Sequence, residues 1–506
     1  MFIRRKKNDS GSTSVQIIQK NGGKYKVVQT IGSSITEKDI LVLEEKGKQA
    51  IIRIQGQQSL FLPHQDITIE SYLSQLQNAQ ISTIGPELVF GRIYEHIGFG
   101  AINEPLFRHL VIARLTFPLS KLKTIEYLYR YQGIRINIDT LYRFLDKLNK
   151  ELKEQVEQIN FAHTQRILGN EIAMVFYDMT TIYFEASDED DLRKMGFSKD
   201  GKHSNPQIYL GLLVGLGGYA IGYDIYEGNI YEGNTLIPII EKLSKKFNLN
   251  KPIVVADAGL LSKANVVALE QQGYGYILGA KIKTESKAIK QKIITTSFTN
   301  EDYIEIEKGT ARLIIQYAQK RATKDAHNRK RGYEKLEKKI KAGKLTKEHI
   351  NNRGYNKYLK MDGTVNIAID KEKYEADKKW DGLKGYITNC KLTAAEVMYN
   401  YRNLWHIEKA FRMSKTDLKI RPIYHRLRRR IEAHICLSFV AYAVYKELER
   451  ILKIEKFELS VEKAAEITHN IYQLKIELPQ SLQTKIVNLK MDEQQQKLID
   501  IVNRNF

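Results

Sequence analysis

From residue 170 to residue 278 the hydrophobic period switches from helical to strand-like, and no other feature constrains the fold as strongly. Residues 172–177 form a continuous apolar run ending at Asp178, followed by Thr180-Thr181 and a second short run over 182–184. Strand patterns follow at 208–214 and 220–226, then a helix over 235–247 and a buried strand over 253–256 that stops at Asp257. Ser262 caps a helix over 263–272, and 274–278 reads as one more strand. Three strands followed by alternating helix and strand imply an α/β fold with antiparallel and parallel parts to its sheet. Residues 208–225 imitate a membrane span in hydropathy alone. Their five glycines, the Gly217-Gly218 pair and Asp224 suit two buried strands joined by a tight turn.

The flanking regions are organised differently. Residues 1–62 open with strand-like runs at 14–20 and 24–31 around Asn21-Gly22-Gly23, then a helix from about Glu37 with Thr36 as its N-cap. Arg4, Arg5, Lys6 and Lys7 read as a DNA-contacting arm or a solvated terminus. Residues 63–168, a candidate DNA-binding region, carry helical periodicity at 88–97, 106–115, 122–131 and 141–148. The last two, separated by GIRINID with Asp139 as N-cap, resemble a helix-turn-helix pair exposing Tyr142, Arg143 and Lys147. A plain packing domain with a charged outer face accounts for that pattern equally well. Residues 169–282 form the first part of the α/β core, and 391–450 the second. Between them, 283–390 is an insertion in which strand-like runs at 303–307, 312–317, 364–369 and 385–388 bracket a basic helical hairpin. Residues 451–506 add two helices and a short apolar run and carry no evident chemistry.

Lys and Arg number 80 against 59 Asp and Glu, a net charge of +21 that favours a polyanionic partner, most often nucleic acid. An anionic membrane would want a basic amphipathic helix beside an apolar anchor, and the sequence has none. Residues 319–360 hold 15 Lys or Arg against 4 Asp or Glu, so half the net charge sits in one short segment. A charge run is usually a solvated face. This density favours phosphate contact instead, with Arg329, Lys330 and Arg331 as the adjacent trio to test. Two cysteines, Cys390 and Cys436, build neither a zinc site nor a disulfide framework and indicate a reducing compartment.

The chemistry is concentrated in residues 401–415, YRNLWHIEKAFRMSK, which read as one amphipathic helix. At helical period Tyr401, Leu404, Trp405, Glu408, Phe411, Arg412 and Lys415 fall on a single stripe, most of it suited to a core. Glu408 is the exception. A carboxylate among buried aromatics is costly unless paired, protonated or bound to a metal. A salt bridge to Arg412 one turn on is the plain account. Asp178 and Asp257, each where a buried strand ends, offer another, although such aspartates are more often turn formers. Three carboxylates in a basic protein form an oxygen-only donor set suited to Mg²⁺ or Mn²⁺. Paired divalent ions can drive in-line displacement at a phosphodiester. No phosphate-binding G-x-x-x-x-G-K-[ST] loop, dinucleotide fingerprint or G-x-S-x-G elbow is present. His203, His406, His425 and His434 lack zinc-like spacing.

The blocks VFYDMTTIYFE, VVADAGLLS and YRNLWHIEKAFRMSKTDLKIRPIYHR resemble the three catalytic blocks of bacterial insertion-sequence DDE transposases. Within that family they are most similar to the group with a Y-R-E-K signature and a β-rich insertion before the catalytic Glu. The resemblance covers roughly residues 1–450 and implies an RNase H-like mixed sheet with helices on both faces. It places Asp178 on the first strand, Asp257 after the fourth and Glu408 on the late helix, as catalytic residues and ligands of two Mg²⁺ or Mn²⁺ ions. The signature Y-x₂-R-x₃-E-x₆-K falls on Tyr401, Leu404, Glu408 and Lys415, so its arginine is absent and Arg412 is the nearest substitute on the stripe. Tyr401, Trp405, Arg412 and Lys415 are the DNA contacts so implied. The family further implies nicking at terminal inverted repeats, strand transfer to target DNA, a homodimer on paired ends, and a cytoplasmic, nucleoid-associated protein. A nuclease of the same fold that does not join strands, and a DNA-binding protein with a decayed site, are the alternatives.

Overall fold

The computed structural model describes residues 1–54, 73–74, 76–77, 80–198, 201–351, 354–362, 366–478 and 483–506. The expected boundary at residues 62 and 63 lies outside them. The chain divides into one unit of residues 1–80 with 476–485 and a second of 81–475 with 486–506.

In the first unit β1 (Phe2–Lys7), β2 (Thr13–Asn21) and β3 (Lys24–Ser34) form an antiparallel sheet, with the helix Glu37–Ile54 after it. Val15, Ile17, Ile18 and Ile40 are its buried hydrophobic residues among those described. Gly22 and Gly23 turn the hairpin at positive φ, which only glycine adopts freely. The basic N-terminus is not a free arm. It pairs with β2 as a strand, Arg5 is held by Glu37 and by Glu44 at 2.7 Å, and Arg4 donates to Gln16 at 3.1 Å.

The second unit begins with β4 (Ile81–Thr83), and its centre is β5 (Met174–Tyr183). The strand expected to stop at Asp178 runs five residues further. The β-branched Thr180, Thr181 and Ile182 keep it extended, and β6 (Gln207–Val214) pairs with it from Phe176 to Tyr183. β7 (Ala220–Glu227) continues the antiparallel meander, with Gly217 at φ 72° in the connection. On the other side β8 (Ile253–Ala256) runs parallel to β5, and β9 (Tyr276–Ala280) parallel to β8. The order β7-β6-β5-β8-β9 is the RNase H-like arrangement.

The insertion extends this sheet. β10 (Tyr303–Lys308) and β11 (Ala311–Tyr317) form a hairpin, β12 (Leu359–Asp362) and β13 (Asn366–Ile369) another, and β14 (Leu383–Thr388) joins β11 to β9. The outer edge of β9, with its unpaired peptide groups, is thereby covered. The basic helical hairpin expected between them is one long helix, Gln319–Lys341, followed by short 3₁₀ turns at Lys347–His349 and Gly354–Tyr358. Gly343 at positive φ follows the end of the long helix, and Thr346 caps the first 3₁₀ turn.

Alternation along β5 divides two cores. Val175, Tyr177 and Met179 face one side with Leu236, Ile240 and Leu243 of the helix Leu236–Phe247. Met174 and Phe176 face the other, against the helices Trp405–Thr416 and Arg428–Ile454. The latter starts at Arg428, earlier than its apolar run, and is buried nearly all round because the stretch 435–445 is apolar on almost every face. Around it pack Pro105–Thr116, Ile138–Lys147 and Lys153–Ile167, so the helical region shares one core with the sheet. Its expected cap is corrected. Asn137, not Asp139, caps Ile138–Lys147, accepting the Asp139 N–H at 2.9 Å. Of the surface expected for duplex DNA, Lys147 pairs with Glu104 and Tyr142 lies under Arg430 at 4.5 Å, while Arg143 is exposed. The helix Glu493–Asn505 packs into the same core, and β15 (Tyr472–Glu477) pairs with β4. Among the described residues no helix is long and apolar enough to cross a membrane.

Candidate active site and nucleic-acid cleft

Parallel pairing of β5 with β8 matches Tyr177 to Ala256, which brings the next two residues level, Asp178 within β5 and Asp257 just past the end of β8. Neighbouring strands lie about 4.8 Å apart. Both aspartates follow a residue of one core and share the alternation of Phe176 and Val255, so they project toward the face of the Trp405–Thr416 helix. Asp178 Oδ1 accepts the Met179 N–H at 2.7 Å. Asp257 Oδ1 accepts from Gly259 at 2.8 Å and Leu260 at 3.3 Å, the turn-forming role open to such a residue. That role engages one oxygen and leaves the other outside the turn.

Residues 401–415 are not one helix. Ala394–Arg402, started by a Thr393/Glu396 capping box, ends at Asn403, and a new helix runs Trp405–Thr416. The break changes the phase. Ile407, Ala410, Phe411 and Met413 face the core, whereas Glu408 and Arg412 are exposed and half of Trp405 is open to solvent. The buried carboxylate expected from the stripe is therefore a surface carboxylate in the first helical turn. Among the described residues it makes no ion pair with Arg412. Lys415 is half-buried.

Tyr401 belongs to the preceding helix and is buried. Its ring meets Tyr386 edge-on at 4.9 Å, and Lys384 Nζ lies 4.3 Å over it. Its hydroxyl reaches β9 at Gly279, where an added Cβ would stand 2.4 Å from Tyr401 Oη and 2.8 Å from the Ala258 nitrogen. No larger residue fits there. Burial, with the charges of Asp257 and Asp178, raises the Tyr401 hydroxyl well above the phenol range. Burial, Arg321 and Arg402 lower Lys384 to about 8 against the pull of Glu408. Tyr401 thus feels the charge of both aspartates, and Lys384 that of the glutamate. Among the described residues no three His, Cys, Asp or Glu side chains are gathered closely enough to hold a metal ion. Asp178 and Asp257 fit a hard divalent ion as oxygen donors level with one another.

A cleft of about 750 Å³ opens from Ala258 and Tyr401 across β9 and β14 to the basic helix. Lys281, Lys283, Arg321, Lys357 and Lys384 line it. Lys283 and Lys357 both hold Asp377, whose burial would raise its carboxyl but whose hydrogen bonds from Lys357, Tyr358 and Lys283 keep it well below the usual range. The sequence places Arg321 and Lys357 only within the basic segment 319–360 and gives no hint of the grouping, because the five cations are scattered over 104 positions. Lys384, a cation inside the apolar strand LKGYIT, is a further signal visible in the sequence. Of the expected trio, Lys330 and Arg331 are exposed, while Arg329 is buried, paired with Asp381 and stacked 5.4 Å over Tyr374.

The transposase DDE domain family model matches residues 171–444, more than half the chain. The chain belongs to the DDE transposase family. Among solved structures, a synaptic complex of piggyBac transposase with hairpin DNA is 9% identical, with 76% of this chain and 78% of that one covered at a TM-score of 0.39. A Mos1 transposase paired-end complex with the left transposon end is 13% identical, covering 48% and 67% at a TM-score of 0.16. No curated protein matches. In this transposase the matched domain takes in Asp178, Asp257 and Glu408 together with the whole insertion.

Proposed function

We propose that this transposase nicks DNA at the terminal inverted repeats of an insertion sequence and joins the freed 3′-hydroxyls to target DNA. The observation that carries this reading is the register that sets Asp178 level with Asp257, whose neighbour Ala258 lies, with Tyr401, at the edge of the basic cleft. Asp178 and Asp257 would hold Mg²⁺ or Mn²⁺, with Glu408 free to swing in from its exposed first-turn position. Bound there, two ions supply Lewis acidity for in-line displacement at phosphorus.

The chain's own residues do the rest. Tyr401, wedged at Gly279, fixes the floor of the site, and Lys384 balances phosphate charge above it. Trp405, half exposed one turn before Glu408, offers a face for a base at the cleaved end. Arg412 and Lys415 continue the same helix as contacts to flanking phosphates. Two chains on paired ends would complete the assembly. The test is incubation of the full chain with a duplex carrying the element's end and a supercoiled target in Mg²⁺. End-joined product is expected, and chelation should abolish it. Nicks without joined product would leave only the nuclease.

The exposed Lys330 and Arg331 supply non-specific grip. Replacing both by Ala is expected to flatten log K against log[salt] for duplex binding by about two units. Arg329→Ala should instead destabilise the insertion, because Asp381 loses its partner. An unchanged slope in the double variant would reduce this helix to a solvated face.

A further inference from the structure

A second concentration of cations lies away from the carboxylates. A cleft of about 580 Å³ is bounded by the start of the helix Lys121–Gln132 and by residues 419–425, which follow the Glu408 helix. Arg114, Lys121, His425 and His434 stand in its wall at 5, 8, 9 and 6% exposure. Among the described residues no carboxylate lines it. Asp146, which acts on His425 from further off, is held by Arg429 at 2.8 Å and Arg430 at 2.9 Å.

The polar groups of this wall are only partly satisfied. His434 bonds the Ile420 carbonyl at 2.9 Å. Arg114 Nη1 reaches the carbonyls of Leu418 and Lys419 at a long 3.4 Å each. Lys121, more than nine-tenths buried, makes no hydrogen bond or ion pair among the described residues. Burying an ammonium beside a guanidinium without a counter-charge is costly, and an apolar side chain would pack there at less cost. Ser120 caps the helix through the Lys123 N–H, and the remaining first-turn N–H groups add positive potential at the same place. Such a set, desolvated and lacking an anion, is matched by a phosphate.

The cleft is tied to the strand that carries Asp178. Ile423 donates its N–H to the Tyr183 carbonyl at 3.4 Å, and Arg421 lies 5.6 Å over the Tyr183 ring. Tyr183 ends β5, five residues beyond Asp178, about 17 Å along the strand. At about 3.4 Å per step, that is roughly five nucleotides of duplex. We propose that this cleft is a second phosphate subsite, in which Lys121 and Arg114 receive a backbone phosphodiester of the DNA strand being cut. The assignment of DNA as ligand rests on the function proposed above; the anion chemistry of the cleft does not.

The discriminating variant is Lys121→Met, which keeps the apolar stem and removes the charge. Binding of the full chain to a duplex carrying the element's end is measured against salt, and thermal melting against inorganic phosphate at matched ionic strength in chloride. A log–log slope shallower by about one unit, in a variant that melts no lower than the wild type in chloride, is the expected result. An unchanged slope overturns the phosphodiester assignment. If phosphate then stabilises the wild type and not the variant, the cleft takes a free anion instead. If neither protein binds duplex at all, the DNA reading has failed by itself, and the phosphate arm still reads the cleft.

Discussion

Asp178→Asn, Asp257→Asn and Glu408→Gln are each expected to abolish nicking and joining while leaving DNA binding and the fold in place. Losing one metal-ligand charge removes several kcal/mol of transition-state stabilisation, and about 4 kcal/mol is a thousandfold in rate. Stability should barely move, for reasons particular to each position. Asn retains the oxygen that accepts the Met179 N–H from residue 178, and those of Gly259 and Leu260 from residue 257. Glu408 is exposed and makes no ion pair with Arg412, so its neutral form costs the helix little. Mg²⁺ or Mn²⁺ should raise the melting temperature of the wild type more than that of any variant. A folded Glu408→Gln protein that still cleaves element ends in Mg²⁺ would sink the assignment.

The largest stability effect is expected at Glu447. This carboxylate is fully buried in the long central helix. Arg450 bonds both its oxygens, at 3.0 and 2.5 Å, and His163 Nε2 lies 3.6 Å away. Burial pushes its pKa up, but His163 and Arg450 outweigh it and hold Glu447 at about 2. Glu447→Ala strands the Arg450 guanidinium beside a buried imidazole and should cost about 3–5 kcal/mol in urea unfolding. Because the folded pKa is depressed, the wild type keeps this contribution above the ordinary glutamate value near 4.3 and loses it as pH falls toward 2. Equal acid sensitivity in wild type and variant would assign the stabilisation elsewhere.

The sequence was most informative where one period dominated. The switch after residue 170 specified β5 to β9 and the helices between them, since continuous apolar runs have few alternatives when both faces are covered. It misled where a polar residue interrupted a run. Asp178 looked like a terminus, yet hydrogen bonding to β6 holds β5 extended beyond it. The stripe over 401–415 holds only for one continuous helix, and a two-residue break at Asn403-Leu404 rotates Glu408 out to solvent. All three carboxylate blocks were legible as motifs. The cations facing them were not, because Lys281, Arg321 and Lys384 meet only when β11, β14 and β9 pair. Arg329 shows the converse, a conspicuous arginine taken up by Asp381 in packing.

The pairing of Tyr317 with Leu383 has an evolutionary corollary. β11 and β14 are partners in one antiparallel ladder, and just beyond it the Ala318 N–H donates to the Gly382 carbonyl at 3.0 Å. Everything from the basic helix to β13 therefore leaves and re-enters through two adjacent backbone positions, as a guest segment spliced into the tip of a hairpin. A short turn could close the same hairpin without shifting the register of β14 on β9. Lineages could lengthen, shorten or trade that excursion, and with it the basic lining of the cleft, while Asp257 and Glu408 inherited an undisturbed frame.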